Sequence, residues 1–361
     1  MTNAWLLIFA LAAAPAPEKF DAKKPDTWRL SAKLPPKSAL REAVVAEWTA
    51  KATQVGEAAL TRDEAEALLN DPRAELVYAD KTINIVAPSM STRQRKGHQD
   101  LLQVFLKPER LEAAEKFAGE QRELLEKARA QHHVDPEVVV SILMWESKLG
   151  TITGDFVAFN SFTSQAFFID EANDAALTDK AERAQLVAEK QKERVETIRA
   201  RARRNLAVLV RTCKARGMDA LSVKGSWAGA LGFPQFMPAT LRWAEDGDGD
   251  GKIDLFTFAD SIASIARYLE ACDYRKSRQK AVWAYNHEQA YVDGVLAFAD
   301  ALKARREKSD GGTAADGGRA ADGGSATDGG AADGGTPPAS LVRAAADGGQ
   351  ARDGGAPGVK R

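Results

Sequence analysis

The chain has 361 residues, with 50 Lys and Arg against 51 Asp and Glu, giving a formal net charge of −1. This balance argues against a nucleic-acid partner, although Arg199, Arg201, Arg203 and Arg204 make a local basic segment. With 44% hydrophobic and 28% charged residues the composition excludes a wholly disordered chain and leaves a core-forming globular one. Ala, Leu, Glu, Lys and Arg dominate and long β-branched runs are few, so a mainly α fold is expected.

In chain order, Trp5 to Ala14 is a short apolar run ending in small residues. It reads as a secretory signal peptide over residues 1–14, which gives an exported protein of the periplasm or cell envelope. The run is too short for a transmembrane helix, which needs about 20 apolar residues; a buried N-terminal helix is the alternative. Residues 15–99 form a lead-in and helical region: Pro- and Lys-rich to about residue 40, then helical over 41–70, then β-prone at Thr82–Val86. Thr61-Arg-Asp-Glu64 has the form of a capping box. One helix is expected from Pro108 to His132.

The segment from Asp135 to Leu149 is the most informative. Asp135 is placed to cap a helix and Pro136 to occupy its first position, where a missing N–H costs nothing. Val138, Val139, Val140, Ile142, Leu143, Met144 and Trp145 make that helix apolar nearly all round, so it must be buried. Gly150 suits the left-handed residue that ends it. Glu146 lies in the last turn, where burial and the negative end of the helix dipole both raise a carboxyl pKa, as a general acid at neutral pH requires. A charged, helical stretch follows over 171–204. Asp-Gly-Gly then recurs seven times after Ser309, at a spacing unlike that of calcium-binding β-helix repeats, and residues 304–361 are expected to be a disordered tail. Cys213 and Cys272 would either pair after export or stay as separate thiols.

Gly225-Ser-Trp-Ala-Gly-Ala-Leu-Gly-Phe-Pro-Gln-Phe-Met-Pro238 is a loop of close backbone approach, and its aromatics and Gln235 suit a carbohydrate. Ala284-Tyr-Asn-His287 precedes a helix through Val292, Val295, Leu296 and Phe298. Glu146-Ser147 on a buried helix, then this loop, then Tyr285-Asn286, resembles the ordered motif set of lytic murein transglycosylases, in particular the membrane-bound lytic transglycosylase B-like family. The resemblance runs from about residue 100 to 303. It implies a lysozyme-like, goose-type helical catalytic domain over 100–303, with Glu146 as the single acid/base and Ser147, Ser226, Gln235, Phe236, Tyr285 and Asn286 lining the sugar site. The implied partner is the peptidoglycan glycan strand, cut by a monomeric enzyme between N-acetylmuramic acid and N-acetylglucosamine to leave 1,6-anhydromuramoyl ends. A hydrolytic muramidase and a catalytically idle wall-binding scaffold are the rival readings. Phe159–Phe168 and the stretch after it depart from the family pattern, and Asp155, nine residues past Glu146, is the best candidate for a second catalytic carboxylate.

Asp246-Gly-Asp-Gly-Asp-Gly-Lys-Ile-Asp-Leu-Phe-Thr257 nearly fits an EF-hand loop. Asp246, Asp248, Asp250, the Lys252 carbonyl and Asp254 stand at ligand positions, with Thr257 where a bidentate Glu is usual. Hard oxygens at this spacing suit Ca²⁺, and the resemblance places an EF-hand-like loop at this point of the chain. The metal is expected to be structural, with no organic cofactor.

Overall fold

The structure, a computed structural model, describes residues 28–52, 56–77, 102–171 and 189–312. The expected signal peptide, the lead-in as far as residue 27, the β-prone Thr82–Val86 and the tail beyond residue 312 lie outside the described residues, whereas the rest of the lead-in, to about residue 40, carries a short helix at Leu30–Lys33 and the start of another at Ala39. The chain divides into two compact units, one of Met1–Pro88, Asp155–Ala230 and Met237–Arg242, the other of Ser89–Gly154, Leu231–Phe236 and Trp243–Arg361. Among the described residues the sheet is one antiparallel pair, β1 (Phe156–Val157) and β2 (Lys224–Gly225), so the expected mainly α class holds. No described helix is long and apolar enough to cross a membrane.

In the first unit the helical region expected over 41–70 is two helices. Helix α2 (Ala39–Thr49) starts where the Ser38 side chain accepts the Arg41 N–H and buries Val44, Val45 and Trp48. Helix α3 (Arg62–Asn70) starts on the expected capping box, with Thr61 and Glu64 each satisfying the other's backbone N–H. The short α1 (Leu30–Lys33) precedes them. Helix α7 (Ala158–Phe167) is buried along its whole length and packs against the long α8 (Glu189–Ala215). Its polar residues therefore need partners: Asn160 accepts the Glu75 N–H at 3.3 Å and donates to the Arg73 carbonyl at 2.7 Å. Gly229 packs so closely on α7 that a Cβ there would lie 2.3 Å from the Phe162 ring.

The second unit is built around α6 (Pro136–Ser147). Its Val138, Val140, Ile142 and Leu143 are completely inaccessible; each such side chain contributes roughly 2 kcal/mol of hydrophobic burial. Pro136 is at the first position as expected, but Asp135 does not cap with its side chain. Its carboxylate instead accepts the hydroxyl of buried Tyr274 at 2.8 Å. The helix expected from Pro108 to His132 is two, α4 (Pro108–Glu120) and α5 (Arg122–His132), broken at Gln121. Helices α9 (Phe258–Ala271), α10 (Arg278–Tyr285) and α11 (Gln289–Gly312) complete the core around Tyr291, Val292, Val295 and Phe298. Helix α11 runs past residue 303, where the tail was expected to begin. There Arg305 makes a bidentate pair with Glu115, both contacts at 2.8 Å, and Arg306 meets buried Glu137 at 2.5 Å. Cys213 is buried and Cys272 half-buried, and no disulfide joins them.

Candidate functional site

Helix α6 ends abruptly after its acidic residue. Lys148, Leu149 and Gly150 all adopt left-handed backbone, with φ of 48°, 55° and 82°, so the turn expected of Gly150 alone is spread over three residues. Ser147 closes it: its buried hydroxyl donates to the Leu143 carbonyl at 3.2 Å and accepts the Gly150 N–H at 3.0 Å. The Ser147 hydroxyl is thus committed to the backbone.

Glu146 sits just before that turn, half-buried, open to water on one side and packed by aromatic rings on the other. Gly294 makes this possible. A Cβ there would fall 2.3 Å from the Trp145 indole, so only glycine lets α11 approach α6 this closely. One turn earlier on α11, the Tyr291 ring lies edge-on to Trp145, centroids 5.2 Å apart. Tyr285 stacks on Tyr291 at 6.3 Å, and Tyr268 meets Tyr285 edge-on at 5.2 Å. The Tyr291 hydroxyl is fully buried; it makes no hydrogen bond of regular geometry, and the group it acts on is the Glu146 carboxyl.

Burial pushes the Glu146 carboxyl up from its ordinary 4.5 to about 7, against a smaller opposite pull from the Tyr291 hydroxyl. Burial and the Glu146 charge hold Tyr285 and Tyr291 well above the usual phenol range, so both stay protonated donors. A carboxyl that titrates near neutrality can give a proton and then take one back.

Tyr285 ties this acid to the Gly-rich loop. Its hydroxyl donates to the Pro234 carbonyl at 2.5 Å and its ring meets Phe236 at 5.9 Å. A bridge between Leu231 and Phe236 closes the loop into a tight turn. Gln235, the last residue of that turn, has φ of 50°, a conformation costing about 1 kcal/mol or more for a residue with a Cβ. Its side-chain amide donates to the Gly232 carbonyl at 2.9 Å and the Thr153 carbonyl at 3.3 Å. Asn286 is 6% exposed and its side-chain oxygen has no partner. Such an oxygen costs about 1–3 kcal/mol unless something donates to it.

The structure therefore brings Glu146, Ser147, Gln235, Phe236, Tyr285 and Asn286 into one unit. Ser226 belongs to the other unit, where its buried Oγ accepts the Ala230 N–H at 3.1 Å and closes a turn. Asp155 is exposed in that other unit too. Tyr291 was missed in the sequence. The available signal was a tyrosine at the start of the apolar Val292–Val295–Phe298 face, where its hydroxyl would need a buried partner.

The acidic loop folds on its own carboxylates. Asp246 accepts the N–H groups of Gly249, Asp250 and Gly251, which hold it below the usual carboxylate range. Asp248, Asp250 and Asp254 accept from Asp250, Lys252 and Phe256. The side-chain oxygens that converge, within 4.8 Å of one another, are those of Asp246, Asp248 and Asp260. Thr257 has a different job from the one its spacing suggests. Its hydroxyl caps α9 by accepting the Asp260 N–H at 3.3 Å and donates to the Asp254 carbonyl at 3.0 Å. Asp260, 3% exposed, accepts the Gly247 and Asp254 N–H groups at 2.7 and 2.6 Å. Asp260 was missed because it lies outside the twelve-residue EF-hand pattern; its sequence trace is a helix-start pair, Thr257-x-x-Asp260. Three hard carboxylates, one of them buried, fit a calcium ion.

The membrane-bound lytic murein transglycosylase B of Escherichia coli is 28% identical over 191 residues, 53% of this chain and 46% of that protein. The chain thus matches about half the length of that curated relative. The E. coli lytic transglycosylase SLT35 in complex with bulgecin A has a similar fold, with a TM-score of 0.54 at 16% identity over 75% of this chain and 95% of that one. The same protein in complex with calcium gives 0.53 at 17% identity, with the same coverage. The soluble lytic transglycosylase SltB1 of Pseudomonas aeruginosa gives 0.53 at 18% identity over 74% of this chain and 99% of that one. These likenesses bear out the lysozyme-like helical fold. The family described as the transglycosylase SLT domain matches residues 43–326, beginning well before the expected residue 100 and taking in most of α2 and all of α3. With the fold, the ordered motifs and a match over most of its length in agreement, the chain belongs to the transglycosylase SLT domain family.

Proposed function

We propose that the protein is a peptidoglycan lytic transglycosylase with Glu146 as its single acid/base. The observation that carries this reading is a carboxyl titrating near 7, faced by tyrosines. Glu146 protonates the glycosidic oxygen between N-acetylmuramic acid and N-acetylglucosamine, and that C–O bond breaks. The substrate's acetamido group stabilises the cationic C1. Glu146, now a carboxylate, takes the proton of the C6 hydroxyl as O6 closes on C1. The product is a 1,6-anhydromuramoyl end, no water is consumed, and the reaction is a lyase reaction.

Gln235, Phe236, Tyr285 and Asn286 form the proposed sugar site. The unpaired Asn286 oxygen would accept a hydrogen bond from a sugar hydroxyl or amide N–H. The names of the relatives, which are lytic transglycosylases, support the reading. Calcium is proposed as a structural ion held by Asp246, Asp248 and Asp260, in line with the calcium complex of SLT35. An exported monomer acting on the glycan strands of the cell wall follows from the same reading.

Product mass is the test. Digestion of purified peptidoglycan should release muropeptides lighter by one water than those with a reducing end. Reducing-end products would make the protein a muramidase. Full activity in Glu146→Gln would remove Glu146 as the acid, and no release by the intact protein would favour a binding scaffold.

A further inference from the structure

The three left-handed residues after Glu146 need an external support. Each costs about 1 kcal/mol when it carries a Cβ, and such a run persists only where the surroundings hold it. Two rings do so. A Cβ on Gly150 would lie 3.1 Å from Phe258 and 3.2 Å from Phe233, so both rings press directly against this backbone. Phe258 and Phe233 are themselves 4.7 Å apart, and Phe117 of α4 meets Phe258 edge-on at 4.9 Å. Phe258 is the first residue of α9 and is fixed at its base by the Thr257 cap. Phe233 is fixed by its N–H, which donates to the Leu255 carbonyl at 2.8 Å.

We propose that Phe258 is a positioning residue for Glu146: its ring, backed by Phe117 and paired with Phe233, holds the Lys148–Gly150 turn and thereby the last turn of α6. Without the ring, the turn relaxes, the last helical turn frays, and water reaches the Glu146 carboxyl from a second side. Among the described residues the titratable groups that act on this carboxyl are Tyr291 of α11 and Tyr285 of α10, with the Tyr268 ring behind them, and burial holds Tyr285 and Tyr291 uncharged at neutral pH. Water at Glu146 is therefore the main change to expect. The raised pKa of Glu146 comes from burial, so it should fall when Phe258 is removed. The proposal rests on the reading of Glu146 as the acid.

The test is a carbon-13 NMR titration of the Glu146 carboxyl in the full chain, with Glu146→Gln assigning the signal. Phe258→Ala should move the midpoint down by about one pH unit. Phe258→Leu, which keeps most of the volume, should restore most of it. Leu269→Ala, a core truncation about three turns along the same helix, should lower the melting temperature and leave the midpoint in place. A wild-type midpoint in Phe258→Ala would overturn the proposal, whatever its stability. Should that variant not fold, a Phe258→Leu and Phe258→Val pair supplies the same comparison. The titration is readable whether or not the protein releases muropeptides, so its failure and failure of the proposed activity remain distinct.

Discussion

Gly294 lies directly against the Trp145 indole, with 2.3 Å between the ring and the place where a Cβ would stand. This approach sets the distance between α6 and α11, and with it the position of Tyr291 over Glu146. Gly294→Ala should force the helices apart at a cost of about 1–3 kcal/mol. Helix propensity alone would favour Ala by about 1 kcal/mol, so the sign of the effect separates packing from propensity. A lower melting temperature together with slower muropeptide release is expected; a higher one would mean that the helices close without this contact.

Glu146 should set the pH dependence. Its folded pKa, about 7, lies above the ordinary 4.5 of an unfolded chain, so between these values the folded state binds more protons. The stability contributed by this group is present at low pH and is lost as pH rises through that window. Glu146→Gln should therefore raise the melting temperature more at about pH 8 than at about pH 5, while abolishing release. The rate of the intact protein should fall as pH climbs past about 7, because the acid form is then lost. Equal gains at the two pH values would sink the buried-acid account.

Calcium should raise the melting temperature of the intact protein over that in a chelator, by the ordinary linkage of a ligand to the folded state. Asp260→Asn should lose most of that rise. Thr257→Ala should keep it while costing about 1 kcal/mol for the lost helix cap. The reverse pattern would restore Thr257 as the ligand and remove Asp260.

Arg306→Ala would leave the Glu137 carboxylate, 6% exposed, without its 2.5 Å partner. A loss of about 2 kcal/mol is expected, less than for a fully buried pair because Arg306 is half exposed. Chemical denaturation measures it. A chain cut after residue 303 should be weaker still, since it also loses the Arg305–Glu115 pair.

Much of the frame was readable in the sequence. The apolar run of Val138–Leu143 behind Pro136 could only be a buried helix, and Thr61 with Glu64 could hardly be anything but a helix start. The break at Gln121 was marked in sequence only by Gly119, a glycine that a continuous helix tolerates at a cost of about 1 kcal/mol. The left-handed backbone of Lys148 and Leu149 was not readable, being held by rings that arrive from residues 233 and 258. Asp135 kept its place but gave its carboxylate to Tyr274, a partner 139 positions away. Asp260 and Tyr291 were hidden for a related reason. Each belongs to a site through convergence in space, while in sequence one reads as a helix-start residue and the other as part of an apolar helix face.

The backbone beside the acid and at the amide of Gln235 is narrower in its freedom than it had to be. Glycine at positions 148, 149 or 235 would relieve the local energy of φ values near +50°. It would also open the mirror-image half of conformational space to the segments that aim the acid and the amide. A side chain that resists its own backbone shape, held there by its surroundings, leaves fewer shapes within reach. The chain thus carries instability where it most needs a single conformation, and its rigidity there is a property of neighbours rather than of the residues themselves.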